Sequence, residues 1–259
     1  MPDLTEFSSA FLKAFDAHRL DEGAPSICGL SIDEAYSVQQ LVIEARLSRG
    51  ERAAGYKVGC TSSAIRRQFG LDEPICGRVM EPHVHRGNAS VKWGEFFQPA
   101  VEPEFVLRIG RDLNDEVGDD EPLEGAIEWV SPGIEIHSYH FWFGTPMTQE
   151  LIASNGLHAA LVIGEQRTNP REVDWEMEGV GLFKGDQLEA SGIGAEIMET
   201  GPMTSLRWLV NHLVRRGGML KAGDLVIPGS PVELIAVGEG ESVTARFTRI
   251  GEVSTAFVS

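Results

Sequence analysis

Residues 99–107 read Pro99-Ala100-Val101-Glu102-Pro103-Glu104-Phe105-Val106-Leu107. In a β-strand, residues two apart project from the same face, so Glu102 and Glu104 point together from a segment whose neighbours are apolar. Buried like charges side by side are costly unless a cation neutralises them, and hard divalent ions take oxygen ligands. An edge strand carrying two solvated glutamates is the alternative for this string alone. Either way, the segment predicts a strand over Val101–Ile109.

Outward from that strand the same grammar continues: short apolar runs punctuated by Gly, Pro and Asp. Strands are expected at Tyr56–Cys60, Trp129–Ile136, Ala159–Ile163, Val180–Phe183, Gln187–Ala190, Leu225–Ile227, Val232–Val237, Ser242–Phe247 and Glu252–Val258. Lys184-Gly185-Asp186 reads as a tight hairpin. One strong helix interrupts the late strands, opening near Pro202, burying Leu206, Leu209, Val210 and Leu213, and ending at Arg215-Arg216-Gly217. The acidic stretch from Asp112 to Glu124 reads as a loop, because Asn114, Gly118 and Pro122 break either regular structure.

Before Gly55 the periodicity is helical. Phe7, Ala10, Phe11, Ala14 and Phe15 recur at helical spacing, and Ser31-Ile32-Asp33-Glu34 is a capping box ahead of the stripe Ala35, Val38, Leu41, Val42 and Ala45. The expected organisation is a helical N-terminal cap region over 1–54 and a β-rich catalytic domain over 55–259, within an α+β fold.

The 259 residues carry 22 Lys+Arg against 39 Asp+Glu, a formal charge of −17. Phosphate binding needs clustered Lys and Arg, so the balance excludes a nucleic-acid partner and an anionic membrane surface. No apolar run approaches the roughly 20 residues that span a bilayer. The N-terminal stretch lacks the cationic and apolar regions of a signal peptide. Cys28, Cys60 and Cys76 lack metal or disulfide spacing and read as reduced thiols of a cytoplasmic protein.

Two further charges stand where charges need a reason. Glu135, in Ser131-Pro132-Gly133-Ile134-Glu135-Ile136-His137, sits alone in an apolar run. With Glu102 and Glu104 it makes three carboxylates that match a Mg²⁺ or Mn²⁺ site with positions left for substrate and water. His137 and His140 form no HExxH pattern and read as satisfied structural residues. Lys57, in Gly55-Tyr56-Lys57-Val58-Gly59-Cys60-Thr61-Ser62, stands in a strand that leads into a helix start. Burial lowers its pKa towards neutrality, or leaves it a fixed cation beside a developing enolate; a snorkelling surface lysine is the plain alternative.

The segments GYKVGCTSSAIRRQFGLDEPICG (55–77), QPAVEPEFVLRIGRDL (98–113), PGIEIHS (132–138), Ser154-Asn155, KAGDLVIPGS (221–230) and ARFTRIGEVSTAF (245–257) resemble, in order and spacing, the 2-keto-4-pentenoate hydratases and 4-oxalocrotonate decarboxylases of the fumarylacetoacetate hydrolase superfamily. The resemblance implies a mixed, strongly twisted β core partly rolled around a metal site. It also implies metal ligands Glu102, Glu104 and Glu135, an active-site Lys57 working with Glu135, and substrate contacts from Thr61, Ser62, Ile75 and Asn155. The substrate is expected to be a short 2-oxo or 2-hydroxydienoic acid, and the protein a homo-oligomer with a pathway decarboxylase or hydratase as a further partner.

Two positions depart from the family. Ile75 stands where the hydratases carry an acidic residue that works with the lysine, and Pro228-Gly229 stands where the superfamily has Thr-Gly, with the Ser230 hydroxyl close by. The expected reaction is hydration of a 2-hydroxydienoate. A decarboxylase is the nearest alternative, because stabilising an enolate serves both reactions. A C–C hydrolase of acylpyruvates needs a His–Glu pair from a lid, for which the N-terminal segment offers only His18 near Asp16 and Glu22. A metal- and oxo-acid-binding partner protein is the non-enzymatic reading.

Overall fold

The computed structural model of the chain describes residues 3–17, 21, 26–138 and 146–259. Helices α1 (Leu4–Ala17) and α2 (Ile32–Ser48) precede β1 (Ala53–Gly59), and α3 (Ser63–Phe69) follows it. Strands β2 (Ile75–Met80), β3 (Val84–Arg86), β4 (Ala89–Lys92), β5 (Ala100–Ile109) and β6 (Ile127–His137) lead to α4 (Thr148–Ala153) and β7 (His158–Ile163). Strands β8 (Gly179–Lys184) and β9 (Gln187–Ile193) form the expected hairpin, followed by α5 (Pro202–Arg215). The chain ends in β10 (Leu225–Ile227), β11 (Ile235–Ala236), β12 (Ser242–Phe247) and β13 (Gly251–Val258).

The described residues form two sheets. The larger has eight strands, ordered β2-β1-β10-β5-β6-β7-β3 with β11 paired to β5, and it mixes parallel pairs (β1 with β10, β3 with β7) with antiparallel ones. It curls into a half-barrel. The smaller sheet runs β4-β13-β12-β8-β9. β5 is buried on both faces. Phe105 turns towards the small sheet, 5.1 Å from Phe247 and 6.0 Å from Trp175 between ring centroids. On the opposite face Val106 packs with Val79, Leu161, Ile163, Leu225 and Ile227. Glu102 and Glu104 share that second face with Val106, since alternate strand residues point the same way.

Helix α2 starts as its sequence dictates. Ser31 Oγ accepts from the Glu34 amide at 3.2 Å, and the Glu34 carboxylate accepts from the Ser31 amide at 2.8 Å. Its buried Gln39 donates to the carbonyls of Cys76 (3.1 Å) and Ile152 (2.6 Å), tying the helix to β2 and α4. Phe11, Ala14, Ala35, Val38 and Val42 belong to the same hydrophobic cluster as Phe105 and Phe247. Among the described residues no helix is long and apolar enough to cross a membrane.

The structure corrects the sequence reading at the short elements. β2, β3 and β4 were not expected, because runs of three to six residues around Arg78, Arg86 and Gly87 give too little periodicity to read. Only Ile235–Ala236 of the expected Val232–Val237 strand pairs, against Val101 and Ala100 of β5. Residues 112–124 form no strand or helix before the short turn that opens at Glu124, with Leu113 bridging to Leu220.

One packing contact predicts how stability depends on pH. His212 on α5 is buried between Tyr36 and Trp208, with ring centroids 5.3 Å and 4.7 Å away. Burial, aided by the positive charge of Arg216, pushes its pKa down from 6.5 to about 4. The unfolded chain therefore binds this proton more readily than the native one between those values. The stabilisation is complete above about pH 6.5 and is lost as pH falls towards 4. In urea melts, the parent should lose more stability between pH 7 and pH 5 than His212→Gln; equal losses would contradict the assignment.

Candidate active site

β5 and β6 pair antiparallel with Glu102 directly opposite Glu135, and β1 brings Lys57 onto the same concave face. The Lys57 ammonium lies 3.1 Å from Glu135 Oε1 and donates to the Gly156 carbonyl at 3.3 Å. His158 Nδ1 is 2.7 Å from the same Glu135 oxygen. On the other side of the carboxylate, His137 Nε2 stands 3.4 Å from Glu135 Oε2 and 3.1 Å from Glu102 Oε2. Lys57, Glu104, Glu135, His137 and His158 are buried, and the cluster reaches solvent through Glu102, whose side chain is 20% exposed.

The charges arrange one another. Burial alone would raise the pKa of Glu135, but His137 and Lys57, with the hydrogen bonds of the two histidines, hold it well below the carboxylate range. Burial would lower Lys57, yet Glu135 and Glu102 outweigh it, and the ammonium is held charged. Of the two sequence expectations for Lys57, the fixed cation is therefore the one that fits. His137 is likewise pushed up to about 9, with the charge of Glu135 and the contact with Glu102 overcoming burial. Glu104 moves the other way. Burial and the charges of Glu135 and Glu102 raise it well above the carboxylate range, although the Gly229 amide donates to its Oε2 at 3.1 Å.

Backbone conformation delivers these groups. Asn155, Gly156 and Leu157 all have positive φ (64°, 65° and 60°), a left-handed turn that costs energy at Asn155 and Leu157. It aims the Gly156 carbonyl at Lys57 and feeds His158 into β7. A Cβ on Gly156 would come within 3.0 Å of the Lys57 ammonium. The turn is pinned by the Asn155 side chain, whose Oδ1 accepts from the Arg78 amide (2.6 Å) and whose Nδ2 donates to the Arg78 carbonyl (2.8 Å). The Asn155 side chain is thus engaged with the backbone of Arg78 in holding the turn.

Two other expected substrate contacts, Ser62 and Ser230, accept hydrogen bonds from backbone amides. The Ser62 hydroxyl caps α3, accepting from the Ile65 amide at 3.2 Å, and Ser230 Oγ accepts from the Val232 amide at 3.2 Å. Thr61 is buried against Gly229, where φ is 119° and a Cβ would lie 2.5 Å from Thr61 Cγ2. Ile75 reaches Lys57's surroundings across Gly59. A Cβ there would sit 3.3 Å from Lys57 Nζ and 3.4 Å from Ile75 Cγ1, so the isoleucine side chain lies on the Lys57 side of β2. His158 also lines a cavity of about 370 Å³ beneath α1 and α2, whose walls include Phe11, Phe15 and Val42.

Among the described residues, the ligand atoms of Glu102, Glu135 and His137 lie within 4.8 Å of one another, an arrangement that can hold a metal ion; Glu104 is not in that set. The Nδ1 of His137 lacks a hydrogen-bond partner, while its Nε2 pairs with the carboxylates of Glu102 and Glu135. The converging carboxylates of Glu102 and Glu135, with Glu104 on the same face of β5, fit a divalent cation. His137, expected to be a satisfied residue, is buried and pairs with both carboxylates through Nε2. Its signal was present in the sequence, since it stands two residues from Glu135 in the same strand. His158 carried no comparable signal. His140, His18 and Glu22 lie outside the described residues, and Asp16 is engaged with Arg49 at 2.8 Å.

No protein-family model matches the chain. It is 31% identical over 256 residues to 2-keto-4-pentenoate hydratase 1 of Dechloromonas aromatica, covering 98% of this chain and 97% of the relative. It is 28% identical over 230 residues to 2-keto-4-pentenoate hydratase of Paraburkholderia xenovorans, covering 89% and 85%. Among solved structures, 4-oxalocrotonate decarboxylase from Pseudomonas putida G7, complexed with magnesium and adipate, superposes with a TM-score of 0.90 at 24% identity, covering 98% and 96%.

Proposed function

Since the chain belongs to the 2-keto-4-pentenoate hydratase family of the fumarylacetoacetate hydrolase superfamily, and is a lyase, we propose that it adds water to a 2-hydroxy-2,4-dienoate in aromatic-compound catabolism, using a divalent cation. The observation that carries this reading is the buried Lys57 ammonium 3.1 Å from Glu135, inside a cluster of carboxylates that need a further cation. Glu102 and Glu135, with Glu104 beside them, would hold Mg²⁺ or Mn²⁺. When bound, the cation supplies electron withdrawal at the 2-oxo group of the substrate.

The chain's own residues do the rest. Lys57 keeps a fixed positive charge where negative charge develops along the conjugated substrate, in a buried setting that strengthens the interaction. A charged lysine suits that role and not a Schiff base, which needs the free amine. Glu135 is held ionised and keeps the Lys57 ammonium charged, while His158 fixes its orientation through Nδ1. Decarboxylation of a 4-oxalocrotonate-type acid remains the second reading, favoured by the structural likeness and by the same enolate stabilisation. His18 and Glu22, which the hydrolase reading would use, lie outside the described residues. Within this proposal the protein works in the cytoplasm as a homo-oligomer, alongside a decarboxylase or hydratase of the same route.

Incubating the Mg²⁺-loaded protein with 2-hydroxypenta-2,4-dienoate, 4-oxalocrotonate and an acylpyruvate, and identifying products by NMR, separates the readings. Hydration of the dienoate is the expected result. CO₂ loss, paired acids, or binding without turnover would each replace it with a named alternative.

Ile75 gives a prediction against simple family transfer. With isoleucine beside Lys57, one acid–base group is missing, a loss worth roughly 10²–10⁴ in rate. Ile75→Asp should raise kcat/KM for the small dienoate by roughly tenfold or more, while weakening longer-chain analogues that pack on the isoleucine. An unchanged or lower kcat/KM in a folded variant would show that the position takes no part in proton transfer.

A further inference from the structure

The segment that follows Lys57 is held by a side chain outside the buried cluster. After Gly59 the chain turns through Cys60, whose φ of 57° is left-handed and costs energy at a residue with a Cβ. Such a conformation persists only where its surroundings impose it. The Arg66 guanidinium does so: Nη1 donates to the Thr61 carbonyl and, at 3.4 Å, to the Cys60 carbonyl. The same nitrogen lies 3.5 Å from Met198 Sδ, and Nη2 pairs with Glu199 at 3.4 Å. Met198 and Glu199 are themselves left-handed, with φ of 54° and 61°, and Glu199 Oε1 accepts from the Ser63 amide at 3.0 Å. One side chain on α3 therefore ties together two strained stretches of backbone that are far apart in sequence.

What this clamp holds borders the reacting groups. Gly59 runs so close to Lys57 that a Cβ on it would lie 3.3 Å from the ammonium. Thr61 is buried against Gly229, whose amide is the donor to Glu104 at 3.1 Å. Resting on the hydratase reading above, we propose that Arg66 is a positioning residue for that reaction, fixing Cys60 and Thr61 so that Gly59 stays against Lys57 and Thr61 stays against the Gly229 that anchors Glu104. A guanidinium suits the task. Its planar fork meets two carbonyls and a carboxylate at once, which the single ammonium of a lysine does not reproduce. The Arg66 side chain is only 15% exposed, so these bonds are largely shielded from water.

The test alkylates the whole protein in Mg²⁺ buffer with iodoacetamide and follows each cysteine by mass spectrometry, alongside steady-state kinetics on 2-hydroxypenta-2,4-dienoate. In the parent Cys60 should react slowly, because it is partly buried and burial pushes its thiol up to about 11. In Arg66→Ala and in Arg66→Lys its rate should rise by roughly tenfold or more, the mark of an easier local opening, while Cys76, buried on β2, keeps its rate. KM should rise by roughly tenfold or more, the size of losing a supporting partner, with kcat near the parent's because no reacting group is lost. Faster labelling of Cys60 and Cys76 together, or a lower kcat at unchanged KM, would mean a general loss of folded protein and overturns the positioning role. So does unchanged Cys60 labelling, or faster Cys60 labelling with both kinetic constants unchanged. Parent-like behaviour of Arg66→Lys overturns the need for the fork. Labelling requires no turnover, so the two readings fail separately: a parent that does not convert the dienoate sinks the hydratase reading and the kinetic role with it, whereas selective labelling of Cys60 would still show the clamp.

Discussion

Glu135→Gln should cost the protein both its metal and much of its stability. Glu135 is the contact point of the cluster, with Lys57 at 3.1 Å, His158 at 2.7 Å and His137 at 3.4 Å. Gln keeps the shape and removes the charge. Divalent-ion affinity should fall by roughly 100-fold or more, beyond the effect of losing an outer-shell partner. The apo protein should lose about 3–5 kcal/mol, the usual penalty for stripping one member from a buried ion pair. Glu104→Gln should behave oppositely. That carboxyl is repelled by Glu135 and Glu102 and already held towards its neutral form, so an amide in its place should leave the apo protein as stable or more so. From sequence alone, all three carboxylates are repelling neighbours whose removal stabilises the apo state. The structure splits them, because Glu135 touches Lys57 and two histidines directly, whereas at Glu104 burial and the charges of Glu135 and Glu102 outweigh the pull of Lys57. Titration with Mn²⁺ and urea melts of both variants check the split; similar stability changes in the two would contradict it.

Lys57→Met should leave a protein that binds metal almost normally and turns over at least roughly 10²-fold more slowly, the size of one positioned charge or acid–base group. Methionine fills much of the lysine's volume without its ammonium, and His158 and His137 remain to hold Glu135. The loss should fall on kcat more than on KM, because the charge is needed most as negative charge builds on the substrate. Parallel losses of metal affinity and rate would instead make Lys57 a counter-ion that maintains the site.

How much of this was legible in the sequence depends on the residue. Glu102, Glu135 and Lys57 could be read because each is a charge inside an apolar run, and the cost of burying an unpaired charge makes such a residue conspicuous. β5 and β6 were legible for the same reason, as long runs buried on both faces. The roles of Ser62, Asn155 and Ser230 were not. A hydroxyl or amide looks equally suited to substrate or backbone, and only the fold reveals that Ser62 caps α3 and that Asn155 mimics a strand partner for Arg78. His158 reaches Glu135 through a left-handed turn that includes Leu157, a residue that seldom adopts that conformation and gives no local hint of it. His137 was within reach, since the spacing argument used for Glu102 and Glu104 applies to Glu135 and His137 unchanged.

The most direct test of the central claim is to run the metal-loaded protein with 2-hydroxypenta-2,4-dienoate in D₂O and follow the product by NMR. Addition of water across the conjugated system gives 4-hydroxy-2-oxopentanoate, and the account predicts that product with deuterium at C3 and C5, where the dienol is protonated. Lys57→Met should form it far more slowly. A product that carries deuterium at C5 but no hydroxyl at C4 would mean that the protein only ketonises the dienol, and no conversion above the protein-free rate would mean that it binds without turnover; either result would contradict assignment as a hydratase.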